Sequence, residues 1–403
     1  MNILFVTLLD FDTLNERTIY TDLLREFIKN GHKVYAVSPV EKRKKTKAGL
    51  IREDGVVISK PVIGNIQKTG IIEKGISTIS VEPLIRKAIK KSFPAIRFDL
   101  VIYSTPPITF LSAIEYVKKR DKAKTYLLLK DIFPQNALDI GLLSKKGPKG
   151  LIYRHFRRQE KKLYAISDRI GCMSKANADY IIRHNRDIDS SKVEVCPNSI
   201  EIVDKRVDEK TRESIRKKYA IPADKKVFIY GGNLGKPQGV PYIVECLKQC
   251  NDIEEAFFLI VGSGTDYDIL ADYATKAHQK NFRLMKSLPK EDYDNMVGAC
   301  DVGMIFLDHR FTIPNFPSRL LSYMQAGLPV LACTDPNTDV GRVIEDGGFG
   351  WWCESNDPGK FKQIIIKICK TDSSQYKNNA FSLLEKEYTT KKGYEIIMKR
   401  GRR

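Results

Sequence analysis

Long hydrophobic runs are missing from this chain. No apolar stretch reaches the ~18 residues that span a bilayer. The opening Met1-Asn2-Ile3-Leu4-Phe5-Val6 has neither the basic flank nor the cleavage site of a secretory leader. These absences set aside integral-membrane classes and favour a soluble or peripheral cytoplasmic protein. Low-complexity tracts and repeats of ~20–50 residues are also missing, which excludes fibrous and solenoid architectures. Histidine is scarce: His32, His155, His184, His278 and His309 stand singly, with no His-x-x-x-His spacing. The eight cysteines are scattered. Cys246 and Cys250 lie one helical turn apart, but no second pair follows, so neither a zinc site nor a disulfide framework is expected. No metal or other cofactor is expected.

Positive charge is what the chain has in excess. It carries a formal net charge of +19 over 403 residues, unevenly spread. Residues 1–200 hold 37 Lys+Arg against 21 Asp+Glu, and residues 201–403 hold 31 against 28. A strongly basic first half faces nucleic acid, anionic lipid or a phosphorylated substrate. The basic segments are Glu41-Lys42-Arg43-Lys44-Lys45-Thr46-Lys47, a helix from Lys149 to Lys162 carrying Arg154, Arg157, Arg158 and Lys161, and the trio Lys87, Lys90 and Lys91. Isoleucines 71, 72, 76 and 79, around Gly70 and Gly75, suit shallow insertion into a lipid surface. A solvated basic face over an ordinary core is the plainer reading.

Hydrophobic periodicity alternates strands with helices in both halves. The first half shows apolar runs at Asn2–Leu8, Lys33–Ser38, Leu100–Tyr103, Thr125–Leu129, Arg169–Met173 and Lys192–Val195. Helical spacing covers Ile19–Ile28, Pro83–Lys91, Ile108–Arg120, Leu151–Ile166 and Lys175–His184. The rhythm pauses near residue 203 and resumes with strands at Val227–Tyr230, Ala256–Val261, Phe282–Met285, Val302–Ile305 and Pro329–Ala332. This is the α/β class: two doubly wound, Rossmann-like domains, residues 1–203 and 204–388, facing a cleft. Trp351-Trp352, after Gly348-Phe349-Gly350, reads as a strand closing the second core.

Three second-half motifs carry chemistry. Tyr230-Gly231-Gly232-Asn233-Leu234-Gly235-Lys236-Pro237-Gln238-Gly239 follows a strand and opens a helix, as either an anion cradle or a tight turn. Leu259-Ile260-Val261-Gly262-Ser263-Gly264 is a strand and Gly-x-Gly turn without the third glycine of a dinucleotide fingerprint. In Pro314-Asn315-Phe316-Pro317-Ser318-Arg319-Leu320-Leu321-Ser322, Ser318 is an N-cap candidate, and Arg319 in the first turn suits a diphosphate.

With these three motifs come Asn15-Glu16-Arg17-Thr18, Ser104-Thr105-Pro106-Pro107, Lys130-Asp131-Ile132-Phe133-Pro134-Gln135-Asn136, Cys196-Pro197-Asn198-Ser199 and Leu288-Pro289-Lys290-Glu291. In this order they make the chain resemble the retaining GT-B glycosyltransferases of family four, over nearly its whole length. Its nearest likeness is to the WbuB-like capsule and O-antigen subgroup that transfers amino-deoxysugars. The resemblance implies a GT-B fold, with an acceptor domain first and a UDP-sugar domain second. A last segment, 389–403, would cross back onto the first domain. It implies retention of configuration, no metal, and a lipid-linked (undecaprenyl diphosphate) saccharide acceptor at the inner face of the cytoplasmic membrane.

The same resemblance assigns Gly232, Asn233, Lys236, Gln238, Gly262, Leu288, Ser318, Arg319 and Ser322 to the donor. It assigns Asp131, Lys130 and Glu16 to the acceptor side. Several positions depart from the family pattern. Its loop Arg and Lys fall at Asn233 and Gln238, leaving Lys236 as the substitute cation. Its two glutamates fall at Pro314 and Ser322, and its His-Asp pair becomes Lys130-Asp131. A structural cap remains an alternative for Asp131, and a pair with Arg17 or a helix-start role remains one for Glu16. Competing functions are a GT-B hexosyltransferase with a soluble acceptor, a nucleotide-sugar epimerase fold, and a basic nucleic-acid-binding protein. The last lacks any helix-turn-helix, zinc-finger, RRM or KH pattern.

Overall fold

The computed structural model describes residues 1–53, 55–66, 71–277 and 279–399, without the side chains of 71–76 and 79. Gly70, His278, residues 400–403 and the side chains of Ile71, Ile72, Ile76 and Ile79 lie outside the described residues. The chain divides into two compact units, Met1–Glu201 with Thr390–Arg403, and Ile202–Thr389.

The first unit runs β1 (Asn2–Val6), α1 (Ile19–Lys29), β2 (Lys33–Val37), β3 (Val40–Glu41), β4 (Gly49–Glu53), β5 (Val56–Lys60), β6 (Val62–Ile63), α2 (Ile71–Ser92), β7 (Leu100–Thr105) and α3 (Leu111–Asp121). It continues with β8 (Lys124–Leu129), α4 (Gln135–Asp139), α5 (Gly147–Ile166), β9 (Arg169–Cys172), α6 (Lys175–His184) and β10 (Val193–Val195). Its main sheet has the order β10-β9-β8-β7-β1-β2-β5-β4. All pairings are parallel except β4 with β5. Ile3, Phe5, Val101, Ile102, Leu127 and Leu129 are buried, because helices cover both faces of a parallel sheet. Thr18 starts α1 by accepting a 3.1 Å bond from the Thr21 N–H, while the Thr21 hydroxyl accepts from Thr18 N.

The second unit runs α7 (Glu209–Lys218), β11 (Lys226–Asn233), α8 (Val240–Gln249), β12 (Ala256–Ser263), α9 (Tyr267–Ala277), β13 (Phe282–Lys286), α10 (Lys290–Gly298) and β14 (Val302–Phe306). It ends with α11 (Arg319–Gln325), β15 (Val330–Thr334), α12 (Val340–Asp346), β16 (Gly350–Glu354), α13 (Pro358–Cys369) and α14 (Ser374–Glu387). The six-stranded sheet, β13-β12-β11-β14-β15-β16, is parallel throughout. The Trp351 strand is its edge, with Trp351 buried and stacked on Tyr376 at 4.7 Å. The chain then returns to the first unit as α15 (Thr390–Met398). There Tyr394 Oη meets His32 Nε2 at 3.0 Å, and Arg169 donates to the Ile396 and Lys399 carbonyls.

Periodicity places most strands and misplaces some helices. The helix expected from Pro83 begins at Ile71 and carries Pro83 inside it. The basic loop after residue 41 holds a short 3₁₀ turn, Lys42–Lys44, and is followed by the β4–β5 hairpin, whose outer strand is too exposed to show an apolar pattern. α7 is nearly all polar and lies just after the polar pause at residues 199–208, in a stretch where periodicity predicts no element. Its anchor is Asp301, reached by Arg212 at 2.6 Å and by the buried Arg216 at 2.7 Å. Asp301 also accepts from Val227 N at 2.7 Å. Burial alone would raise its pKa, but that N–H and the two guanidinium groups hold it below the ordinary value.

Asp301 thus fastens α7 to the sheet. Asp301→Ala strands two partly buried cations and is expected to lower the stability of the unit by about 3–5 kcal/mol. Urea unfolding followed by circular dichroism checks this, and a loss below about 1 kcal/mol would show the cluster to be peripheral.

Candidate functional site

In open parallel sheets, ligands settle beyond the carboxyl ends of strands, where the strand order reverses. In the second unit that point lies between β11 and β14. The glycine loop leaves β11 there, and the segment leading to α11 leaves β14 there. Gly232 has φ +129°, and a Cβ on it would stand 3.1 Å from Arg319 Nη2. A Cβ on Gly262 would overlap the Gly232 carbonyl oxygen. A Cβ on Gly264 would likewise overlap the Leu234 carbonyl oxygen, so close packing of β12 on the loop accounts for both glycines of the Gly-x-Gly turn without a ligand.

Asn233 and Gln238 are joined to each other: Gln238 Oε1 accepts from Asn233 Nδ2 at 2.8 Å and from Gly235 N at 3.2 Å. The residues standing where the family has two phosphate-binding cations thus close the turn. Asp308 N donates to the Pro237 carbonyl at 2.9 Å and braces it from β14. Lys236 projects from this turn, exposed, and forms no ion pair among the described residues.

Arg319 is the centre of the site. Its guanidinium carbon lies 4.3 Å from the centroid of the Tyr230 ring. Tyr230 is buried and donates to the Asn233 carbonyl at 2.6 Å. Tyr323, whose phenol burial pushes up to about 12, donates to the Met304 carbonyl at 3.0 Å. Arg319 Nη1 is buried with no hydrogen-bond partner, and no carboxylate pairs with this guanidinium among the described residues. A cation held on a neutral aromatic face with one unused donor has the chemistry to pair with an anion.

Ser318 does not cap α11. It already has helical backbone angles, φ −65° and ψ −19°, and its side chain makes no capping bond. The expected N-cap is corrected accordingly: the chain turns through Pro317 into helical geometry one residue early. Ser318 is exposed and Ser322, on the same helix face, half-buried. Leu288 is half-buried beside Ser287, whose hydroxyl meets Ser263 Oγ at 3.1 Å and ties that loop to the end of β12. His309 is exposed, 3.8 Å from Asp308 Oδ1.

In the first unit, Lys130 and Asp131 follow β8 and their side chains serve different surroundings. Asp131 Oδ2 accepts from Asn136 Nδ2 at 2.6 Å, and burial raises its pKa to about 6. Lys130 lines a small pocket with Tyr20, Leu128, Cys196 and Asn198, where burial lowers its ammonium pKa. Glu16 is exposed on the loop after β1 and accepts from Asp12 N at 2.9 Å. Arg17 pairs with Glu201 at 2.9 Å instead of with Glu16. Among the described residues, none of Asp131, Lys130 and Glu16 bonds to another through its side chain.

The chain holds four Asp-x-Asp triplets, starting at Asp10, Asp187, Asp266 and Asp292, and the one on the loop after β1 is Asp10-Phe11-Asp12. Its carboxylates face lysines: Asp10 pairs with Lys44 at 2.5 Å and with Lys60, and Asp12 with Lys60 at 3.0 Å. Among the described residues, no group of three or more His, Cys, Asp or Glu is placed to hold a metal ion. No described helix is long and apolar enough to cross a membrane.

Two family models match the chain, one in each half: "Glycosyltransferase Family 4" over residues 17–203 and "Glycosyl transferases group 1" over residues 211–382. The Pseudomonas aeruginosa protein described as a probable glycosyltransferase, WbjE, is 26% identical over 330 residues, which is 80% of this chain and 78% of that one. The structure of Anabaena HepE in complex with UDP superposes with a TM-score of 0.67 at 14% identity, covering 98% of both chains. WaaG, a glycosyltransferase involved in lipopolysaccharide biosynthesis, superposes with a TM-score of 0.66 at 14% identity, covering 99% of this chain and all of that one (100%). The architecture common to these structures and this chain is the two-domain GT-B fold.

Asp131 generates a prediction with two readouts. Its carboxyl takes up a proton more readily folded than unfolded, so folded stability falls as pH rises from about 4 to about 6 and is flat above. Asp131→Asn is therefore expected to melt higher than wild type at pH 7.5 and to differ less at pH 5. If the carboxylate serves the acceptor, transfer rises with pH through about 6 in wild type, and Asp131→Asn loses both rate and that limb. Thermal melts and a pH–rate profile check the two effects separately.

Proposed function

We propose that this chain, a GT-B glycosyltransferase of the group 1 and family 4 type, moves a sugar from a UDP-sugar to a lipid-linked saccharide during synthesis of a surface polysaccharide. The observation that carries the proposal is Arg319, an uncompensated cation at the switch point of the second unit, facing the glycine loop that presents Lys236. HepE, a structural neighbour, was solved with UDP, and WaaG serves lipopolysaccharide synthesis, which supports the choice of donor and pathway class.

The chemistry follows from the leaving group. As the anomeric C–O bond breaks, its electron pair moves onto the diphosphate, and nearby cations stabilise that charge. One well-placed donor is worth about 2.7–4 kcal/mol in such a transition state. Retention is assigned to same-face attack. The acceptor oxygen bonds to the anomeric carbon from the side the diphosphate leaves, and the acceptor proton passes to a departing phosphate oxygen. Asp131 positions the acceptor hydroxyl for that transfer or, as the alternative, takes the proton in place of the phosphate, with Asn136 holding the carboxylate. Lys130 and Glu16 are assigned to the acceptor side, and Ser318, Ser322, Gly232, Asn233, Gln238, Gly262 and Leu288 to the donor. The transferred sugar is an N-acetylated amino-deoxyhexose, the acceptor is an undecaprenyl-diphosphate saccharide of capsule or O-antigen synthesis, and the enzyme works peripherally at the inner face of the cytoplasmic membrane without a metal.

Hydrolysis of a panel of UDP-sugars in solution tests the central reading, and absence of turnover on every donor overturns it. Arg319→Ala and Lys236→Ala are each expected to lower kcat/KM on the order of 100-fold. A folded variant with wild-type turnover would remove that residue from the leaving-group site. Activity is expected to survive EDTA, and loss reversed only by Mg²⁺ or Mn²⁺ would exclude the metal-free mechanism.

A further inference from the structure

Nine large hydrophobic residues are exposed among the described residues, and three of them fall within residues 142–152. Leu142 is 50% exposed, Leu151 64% and Ile152 47%. Scattered exposed aliphatics are ordinary, but a cluster rimmed by one sign of charge marks an interaction surface. Lys145, Lys146, Lys149, Arg154 and Arg158 are exposed around it, and none has a carboxylate partner among the described residues.

The one acidic residue of α5 is turned inward. Glu160 is buried, bonded to Arg157 at 2.5 Å and to Tyr164 Oη at 2.7 Å. Arg157, one of the basic face residues expected from sequence, also reaches Asn185 Oδ1 at 2.6 Å, so it belongs to the fold. Lys161 faces Asp187 at 3.6 Å, and in the other basic segment Lys44 is held by Asp10 and Arg43 by Glu41 at 2.8 Å. Lys42, Lys45, Lys47, Lys87 and Lys91 are likewise exposed without an ion pair among the described residues, but the start of α5 and the turn before it combine such cations with three of the exposed aliphatics.

That segment is fixed beside Asp131. Helices of a parallel α/β sheet run antiparallel to the strands, so α5 begins at the carboxyl edge of the sheet. Tyr153 Oη donates to Gln135 Oε1 at 3.0 Å, and Phe156 meets Phe133 edge-on at 5.0 Å. Both partners lie in the stretch that follows Asp131.

We propose that Leu142, Leu151 and Ile152 insert into the interface of an anionic bilayer, with Lys145, Lys146, Lys149, Arg154 and Arg158 on its headgroups. The occupant is assigned from charge complementarity: uncompensated cations ring an aliphatic tip, the arrangement that an anionic leaflet matches. This deepens the lipid-linked acceptor reading and rests on it, since it places the acceptor-side carboxylate next to the surface from which such an acceptor would be drawn.

The test is co-sedimentation of the full chain with vesicles of mixed phosphatidylglycerol and phosphatidylcholine, against phosphatidylcholine alone. Wild type is expected to bind the mixed vesicles, less at high salt. The Leu151→Ser/Ile152→Ser double variant is expected to lose affinity on the order of tenfold. The Lys145→Glu/Lys146→Glu/Lys149→Glu variant is expected to lose at least as much. Ile366→Ser, at an exposed aliphatic of the second unit, is expected to bind as wild type. A Leu151→Trp variant is expected to show blue-shifted emission on anionic vesicles beyond any change in wild type. Wild type that ignores vesicles, double and triple variants that bind as wild type, or a patch that retains nucleic acid instead of vesicles each overturn the proposal. UDP-sugar hydrolysis in solution, run beside it, reports separately on the transferase reading.

Discussion

A guanidinium without a counter-charge is the constraint on which the second unit's carboxyl edge depends. Arg319 is packed against Tyr230 at 4.3 Å, and among the described residues its Nη1 has no hydrogen-bond partner. Leaving a charge in such a place costs stability unless something else supplies the missing interaction. The surrounding residues cannot supply it: Tyr230 and Tyr323 are phenols kept neutral by burial, and their hydroxyls serve the Asn233 and Met304 carbonyls. The backbone has instead been shaped around the cation. Gly232 takes a left-handed conformation over Arg319, and Gly262 lets β12 press against that same peptide. Tyr230 is doubly employed, as the aromatic floor under the cation and as the clamp that holds the loop.

How much of this is legible in the sequence depends on the range of the interaction involved. β1, β7, β8, β11 and β12 are plain in the apolar runs because both faces of a parallel sheet are buried. The approximate place of the two glycine loops follows from glycines after strands. α7 is illegible, because Glu209–Lys218 has almost no apolar face and its attachment comes from Arg212 and Arg216 reaching Asp301, far away in the sequence. Ser318 fails as a cap for a local reason: it already has helical backbone angles, and residue type alone does not report backbone angles. Nothing in the spacing of Tyr230 and Arg319 announces their contact either, which exists only because β11 and β14 become neighbours at the sheet's reversal.

The Lys130-Asp131 pair shows the same limit at the scale of two residues. Read as adjacent letters, they suggest a joint catalytic unit. At the end of a strand, successive side chains leave toward opposite faces. Lys130 lies among Tyr20, Leu128 and Cys196, whereas Asp131 turns to Asn136. The apolar surroundings act on both charges in the same sense, raising the carboxyl pKa and lowering the ammonium pKa. Each residue is therefore closer to changing protonation near neutrality than its type implies. They reach that state separately, and only Asp131 has a hydrogen-bonding neighbour oriented to keep its carboxylate in one place.

The charge asymmetry between the halves gains meaning from how the charges are used. The first half has fewer acids than bases, and several of those acids are committed internally: Glu160 to Arg157 and Tyr164, Asp121 to Arg120 and the Phe98 N–H, and Asp168 to Lys118 and Thr125. Neutralising interactions are thus spent on the fold, and the uncompensated remainder appears on the surface, most densely at the start of α5. In the second half the balance is nearly even, and Lys236 and Arg319, one on the glycine loop and one packed beside it, have no carboxylate partner among the described residues. Net charge by itself would not separate these cases. A diffuse excess that surrounds exposed aliphatics suits an extended anionic surface, whereas single cations on and beside a glycine-lined loop suit a compact anion. The same element of composition, surplus lysine and arginine, therefore supports two different recognitions, and it is the location of the carboxylates that distinguishes them.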